Sequence, residues 1–147
     1  MALTKVTSNV LNDDAVTTSK IVDVNVTTGK LADDSVTSAK AGSEFTTATA
    51  LIAGATVALD YTAAQVFTLT PNANTTINIT NPVIGVTKVI VMTGAGGSNT
   101  LAFNVGGAAG TFNKISGDYD DTSATKNFIQ VTCVGATEFW YTISQIG

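Results

Sequence analysis

From Val6 to Val36 a large apolar residue returns every five positions without a slip: Val6, Leu11, Val16, Ile21, Val26, Leu31 and Val36. Two beats make a ten-residue unit, read in register as LNDDAVTTSK (Leu11–Lys20), IVDVNVTTGK (Ile21–Lys30) and LADDSVTSAK (Leu31–Lys40). On an α-helix a step of five turns the side chain by ~500°, so these residues scatter around the axis and form no stripe. In a continuous strand they alternate faces, Leu/Ile one way and Val the other. Either way one copy offers a single large apolar group per five residues. At ~1.5–3 kcal/mol per buried Val or Leu, against ~1–2 kcal/mol per ordered backbone residue, one copy does not hold itself folded. The missing contacts are expected from partners. Three copies around a three-fold axis would gather three Leu/Ile or three Val side chains at each level, with Thr and Asp outside. The Asn-Asp and Asp-Asp pairs are expected to kink each unit.

These decamers, with V-T-[TS]-x-K-[IL] junctions after the first two copies, resemble the short linker and shaft repeats of tailed-bacteriophage fibre and appendage proteins. The resemblance implies an extended arm over residues 1–42 that anchors or forms a shaft.

Composition narrows the field. Charged residues make up 12% of the 147, about half the usual ~25%, and Thr, Ala, Val, Asn and Gly fill their place. The net charge is −4, there is no Arg, and the seven Lys are spread along the chain. Nucleic-acid binding, which needs clustered cations, is not expected. Met1–Lys5 leads into the repeat with no apolar signal region, and no run approaches ~20 apolar residues, so neither export nor membrane insertion is expected. Cys133 lies in an apolar strand-like run and reads as a small buried hydrophobe.

After Gly54 the texture becomes β. Thr56–Tyr61, Gln65–Thr70, Thr75–Thr80, Lys88–Thr93, Thr100–Val105, Asn127–Val134 and Glu138–Gln145 read as short strands. Gly, Asn and Pro clusters separate them, whereas 106–117 reads as irregular. Strands at this spacing predict an all-β, antiparallel, jelly-roll-like β-sandwich knob over 43–147.

This half also carries a resemblance. Val66-Phe67, Asn74-Thr75-Thr76-Ile77, Asn81-Pro82, Gly85 and the Trp140-Tyr141 pair are similar to a small β-domain of phage fibre and virion surface proteins. The Trp-Pro-rich loop usual in that domain is replaced by Thr111–Ile115, so no loop function carries over.

No His is present, which removes His-based triads and the usual general base. Gly94-Ala95-Gly96-Gly97 superficially matches a phosphate cradle, but it lacks the Lys-Ser/Thr and lies between strands, so it reads as a hairpin loop. Asp118, Asp120 and Asp121 carry oxygens suited to Ca²⁺. Without the twelve-residue calcium pattern they read as a solvated acidic loop. Asp60 and Glu138 show no pairing for glycosidase work. Tyr61, Phe139, Trp140 and Tyr141 are either a stacking platform for a sugar or core and trimer-contact aromatics, with the second reading favoured. The Asn-X-Thr sequences at Asn25, Asn74 and Asn78 read as coincidence in a Thr-rich chain.

Taken with the resemblances, the expectation is a non-enzymatic, homotrimeric virion structural protein that needs no cofactor or metal. It would be a short capsid-attached fibre or decoration protein, assembled in the host cytoplasm and docked on another virion protein, the major capsid protein first. Val6, Leu11, Val16, Ile21, Val26, Leu31 and Val36 would make the oligomer or anchor contacts. The rival expectation is a tail-fibre or adhesin tip whose knob binds a host-surface glycan.

Overall fold

The computed structural model describes residues 47–146 together with Thr17, Ile21, Thr27, Leu31, Gly42 and Phe45. The chain divides into two compact units, Met1–Thr37 and Ser38–Gly147. In the first unit the chain bends at Ile21 and again ten residues on, at Leu31, while Thr17 and Thr27 share an unbent, exposed geometry. Val6, Leu11, Val16, Val26 and Val36, and the Asp pairs expected to kink each repeat, lie outside the described residues.

The second unit is all-β. Its strands are β1 (Ala48–Ala50), β2 (Thr56–Asp60), β3 (Val66–Leu69), β4 (Thr75–Thr80), β5 (Thr87–Thr93), β6 (Leu101–Val105), β7 (Thr111–Ser116), β8 (Lys126–Cys133) and β9 (Glu138–Ile146). They form a six-stranded sheet, in the order β1-β3-β5-β8-β9-β7, and a three-stranded sheet, β2-β4-β6. Up to β6 each strand crosses to the sheet opposite its predecessor, so strands stack on those two places earlier. β1, β3 and β5 are parallel, as are β2, β4 and β6. The path is that of a β-solenoid: three coils of two strands each.

Register makes the coils visible as columns. In the small sheet Val57, Ile77 and Phe103 stand side by side, and so do Leu59, Ile79 and Val105. In the large sheet Phe67, Ile90, Ile129 and Ile143 align, and Leu69, Met92 and Asn127 do the same. Most of these side chains are fully buried, and the two sheets share one core. Side chains also tie one coil to the next. Asn74 Oδ1 accepts the Thr100 N–H (2.9 Å) and Asn78 Oδ1 accepts the Gly107 N–H (2.8 Å).

Among the named strands, antiparallel pairing is confined to β5-β8-β9. The expected antiparallel, jelly-roll-like sandwich is therefore corrected to parallel coils with an antiparallel extension. The physical reason is instructive. Parallel sheets are usually covered on both faces and read as continuous apolar runs. Here one face of each sheet is open, so the strands alternate as antiparallel ones do, with β4 and β8 buried at every second residue. The extension also closes one end of the solenoid, which would otherwise expose core. Phe112 of β7 stacks on Phe103 (5.4 Å) and on Phe139 (5.0 Å), and Tyr141 tilts against Phe103 (4.9 Å).

Candidate functional site

Four regions bear on function. The first is the glycine loop after β5. Gly94 to Asn99 curls around the Asp121 carboxylate, which is only 8% exposed. Asp121 Oδ1 accepts the Ala95 N–H (3.0 Å) and the Tyr119 hydroxyl (2.8 Å). Its Oδ2 accepts the N–H groups of Gly97 (3.0 Å) and Asn99 (2.8 Å) and the Asn99 side-chain amide (3.0 Å). Burial by itself would raise this carboxyl; the hydrogen bonds from Ala95, Asn99, Tyr119 and Gly97 outweigh it and hold it at about 2. Tyr119 is pushed up, by burial first and then by donating to that carboxylate. A row of backbone N–H groups is an anion-binding device, and here the anion is the chain's own Asp121.

Asp121 is thus a buried structural acceptor, which corrects the reading of all three aspartates as one solvated loop. Asp120 Oδ1 caps a local turn at the Thr122 N–H (2.8 Å), and Asp118 pairs with Lys114. Among the described residues no three carboxylate or thiol groups converge on a point that would hold a metal ion.

The second region is a recess of about 460 Å³ beside Tyr61, Gln65, Val83 and Lys88, with Phe45 at its rim. Lys88 points inward from β5 and is buried; Nζ donates to Gln65 Oε1 (3.1 Å) and lies 5.9 Å from the Tyr61 ring centre. The Tyr61 hydroxyl donates to the Val131 carbonyl (3.0 Å), and burial raises its pKa. These bonds lock the polar groups to one another and present no nucleophile paired with a base.

The third region is the aromatic set. Tyr61 and Phe139 are core residues in edge contact at 6.0 Å, and Tyr141 is half-buried against the core. None of the three offers an open ring face. Trp140 alone faces outward, 48% exposed, with Nε1 donating to Glu138 Oε1 (3.1 Å). The same oxygen accepts the Asn113 amide (3.1 Å). Glu138 therefore fixes an exposed indole, while Asp60 is taken up by Thr62 and Asn81.

The fourth region is the repeat. Ile21 and Leu31, equivalent positions in successive units, are 43% and 46% exposed in a single chain. Sequence reasoning placed them on a seam. It named Asp121 only as part of a solvated acidic loop and missed its role as acceptor for the glycine loop. Compared with known proteins, the chain matches no family model, no curated protein and no solved structure.

Proposed function

We propose that the protein is a non-enzymatic virion structural protein, a short capsid-attached fibre or decoration protein. Its N-terminal repeat associates with sister copies, three by the reading of the beat, and docks on another virion protein, the major capsid protein first. The β unit is carried outward as a head. The observation that carries this reading is the pair Ile21 and Leu31. They occupy the same place in consecutive repeats, sit at the same bend and leave nearly the same apolar surface open in one chain. Repetition of an uncovered apolar group at a fixed interval is what a shaft or anchor built from several chains requires. Replacing both by Asp should lower the mass measured by light scattering to that of one chain and abolish attachment to particles. An unchanged mass and unchanged attachment would refute the assignment.

One observation favours a second reading, an adhesin tip that binds a host-surface glycan. The Trp140 indole is open to solvent and held in one orientation by Glu138, the arrangement that sugar stacking uses. A glycan array separates the two readings. Specific binding by the wild type that is lost in Trp140→Ala, with an unaltered fold, favours the adhesin. Measurable turnover of a polysaccharide would overturn both.

A further inference from the structure

The outer face of the six-stranded sheet is unlike an ordinary solvated sheet surface. Alternation along the strands puts Ala48 and Ala50, Val66 and Thr68, Val89 and Val91, and Phe128 and Gln130 on this face. Register brings them together: Ala48 beside Val66, Val66 beside Val89, Ala50 beside Thr68, Thr68 beside Val91, Val91 beside Phe128. The centre of the face is thus a Val/Ala/Phe surface interrupted by Thr68 and bordered by Gln130. Phe128 is 39% exposed, and Val66, Val89 and Val91 are half-buried. Across β8 and β9 the face continues with Thr132, Thr142, Ser144 and the open Trp140.

Charge is nearly missing from it. On β1, β3, β5, β8 and β9 the outward positions carry only Lys126 and Glu138, one of each sign. Both are engaged on the face itself, Lys126 Nζ with Thr93 Oγ1 (2.7 Å) and Glu138 with Trp140 and Asn113. The whole chain has a net charge of −4. A net-negative chain repels its own copies, and this face, with one charge of each sign, adds nothing to that repulsion. A face with so few charges, centred on valines and Phe128, has the composition of an interface centre.

We infer that the outer face of the six-stranded sheet is the surface through which the heads of sister copies pack on one another. The size fits. Six strands ~4.8 Å apart and about six residues long make a face of roughly 600 Å². Two such faces reach about 1,200 Å², the lower end of stable, specific interfaces.

This inference rests on the reading of the protein as a multi-copy assembly, but it concerns a different surface from the repeat, and the two can be tested apart. On the full chain, Phe128→Lys and Thr68→Lys place a cation in the centre of the face. Ala58→Lys does the same on the exposed outer face of the small sheet, as a control. The expected result is a multimeric wild type and Ala58→Lys. Each head-face variant that keeps the wild-type far-UV spectrum should associate at least tenfold more weakly than the wild type, with the repeat still intact. Folded Phe128→Lys and Thr68→Lys that associate as tightly as the wild type would overturn the inference. If Ile21→Asp with Leu31→Asp dissociates the chain in that same experiment, the fibre reading stands while the head interface falls. A wild type that is monomeric at micromolar concentration, or that is monomeric and loses a glycan on Trp140→Ala, overturns the head interface outright.

Discussion

A single carboxylate organises the loops at one end of the β unit. Asp121 collects five hydrogen bonds from Ala95, Gly97, Asn99 and Tyr119, so removing it leaves several part-buried donors without their acceptor. Asp121→Ala should cost about 2–4 kcal/mol, read from the urea midpoint at constant slope. The same group sets an acid limit. Its folded value of about 2 lies below the ordinary 3.8, so folding favours the ionised form. That contribution, at most about 2 kcal/mol, is whole above the unfolded value and is lost as pH falls from about 4 through 2. In Asp121→Asn the urea midpoint should vary less between pH 5 and pH 2 than in the wild type. Two glycines give a contrast in backbone strain. Gly117 has φ +75°, and a Cβ there would sit 1.9 Å from the Ile143 carbonyl oxygen, whereas a Cβ on Gly107 (φ +79°) meets nothing within 4 Å. Gly107→Ala should cost about 1 kcal/mol of left-handed strain. Gly117→Ala should cost at least twice that by thermal or urea unfolding, because the extension must also shift.

At the scale of elements the core is a set of columns, and stability should follow them. Ile90 stands between Phe67 and Ile129 and is fully buried, so Ile90→Ala should lose about 2–5 kcal/mol. Asn127 breaks the apolar rule of its column for a reason. It lies beside Met92, its Oδ1 accepts the Asp120 N–H (2.9 Å) and its amide donates to the Asp120 carbonyl (2.7 Å). Asn127→Leu makes the column apolar but releases this tie. Hydrogen exchange should quicken at Asp120 while protection in β3 and β5 is retained. Most strands were legible because alternation of Val, Ile and Phe with Thr and Asn is a local property. β1 and β7 were not, since Ala48–Ala50 and Thr111–Ser116 bury little of their own and acquire strand geometry from β3 and β9. The inward or outward choice at β9 was equally undecided, because Phe139 and Trp140 are both aromatic and only pairing with Cys133 and Thr132 assigns their faces.

For the whole molecule, the two contact surfaces proposed above can be told apart. The repeat and the head face offer two separate surfaces with different readouts. Salt provides another check. Because the head face carries one charge of each sign and the chain is net negative, raising ionic strength from about 0.01 to 0.15 M should strengthen association or leave it unchanged, by screening repulsion between copies. Weakening with salt in sedimentation or light scattering would point to ion pairs as the source of contact.

The sequence by itself determined three things about this protein: the β character of most of the chain after Gly54, the five-residue beat of the N-terminal segment, and a side-chain set without His or Arg. All three depend on residue type and spacing, which the chain carries locally. Which strand pairs with which was decided only by the tertiary structure, as were the partner of the Gly94–Asn99 loop and the outward position of Trp140. The pairing and the loop depend on contacts between residues far apart in sequence, such as Ala48 with Val66 or Thr87 with Thr132, and the face of Trp140 on its pairing with Thr132. Alternation looks the same whether the next strand returns beside its predecessor or crosses to the opposite sheet.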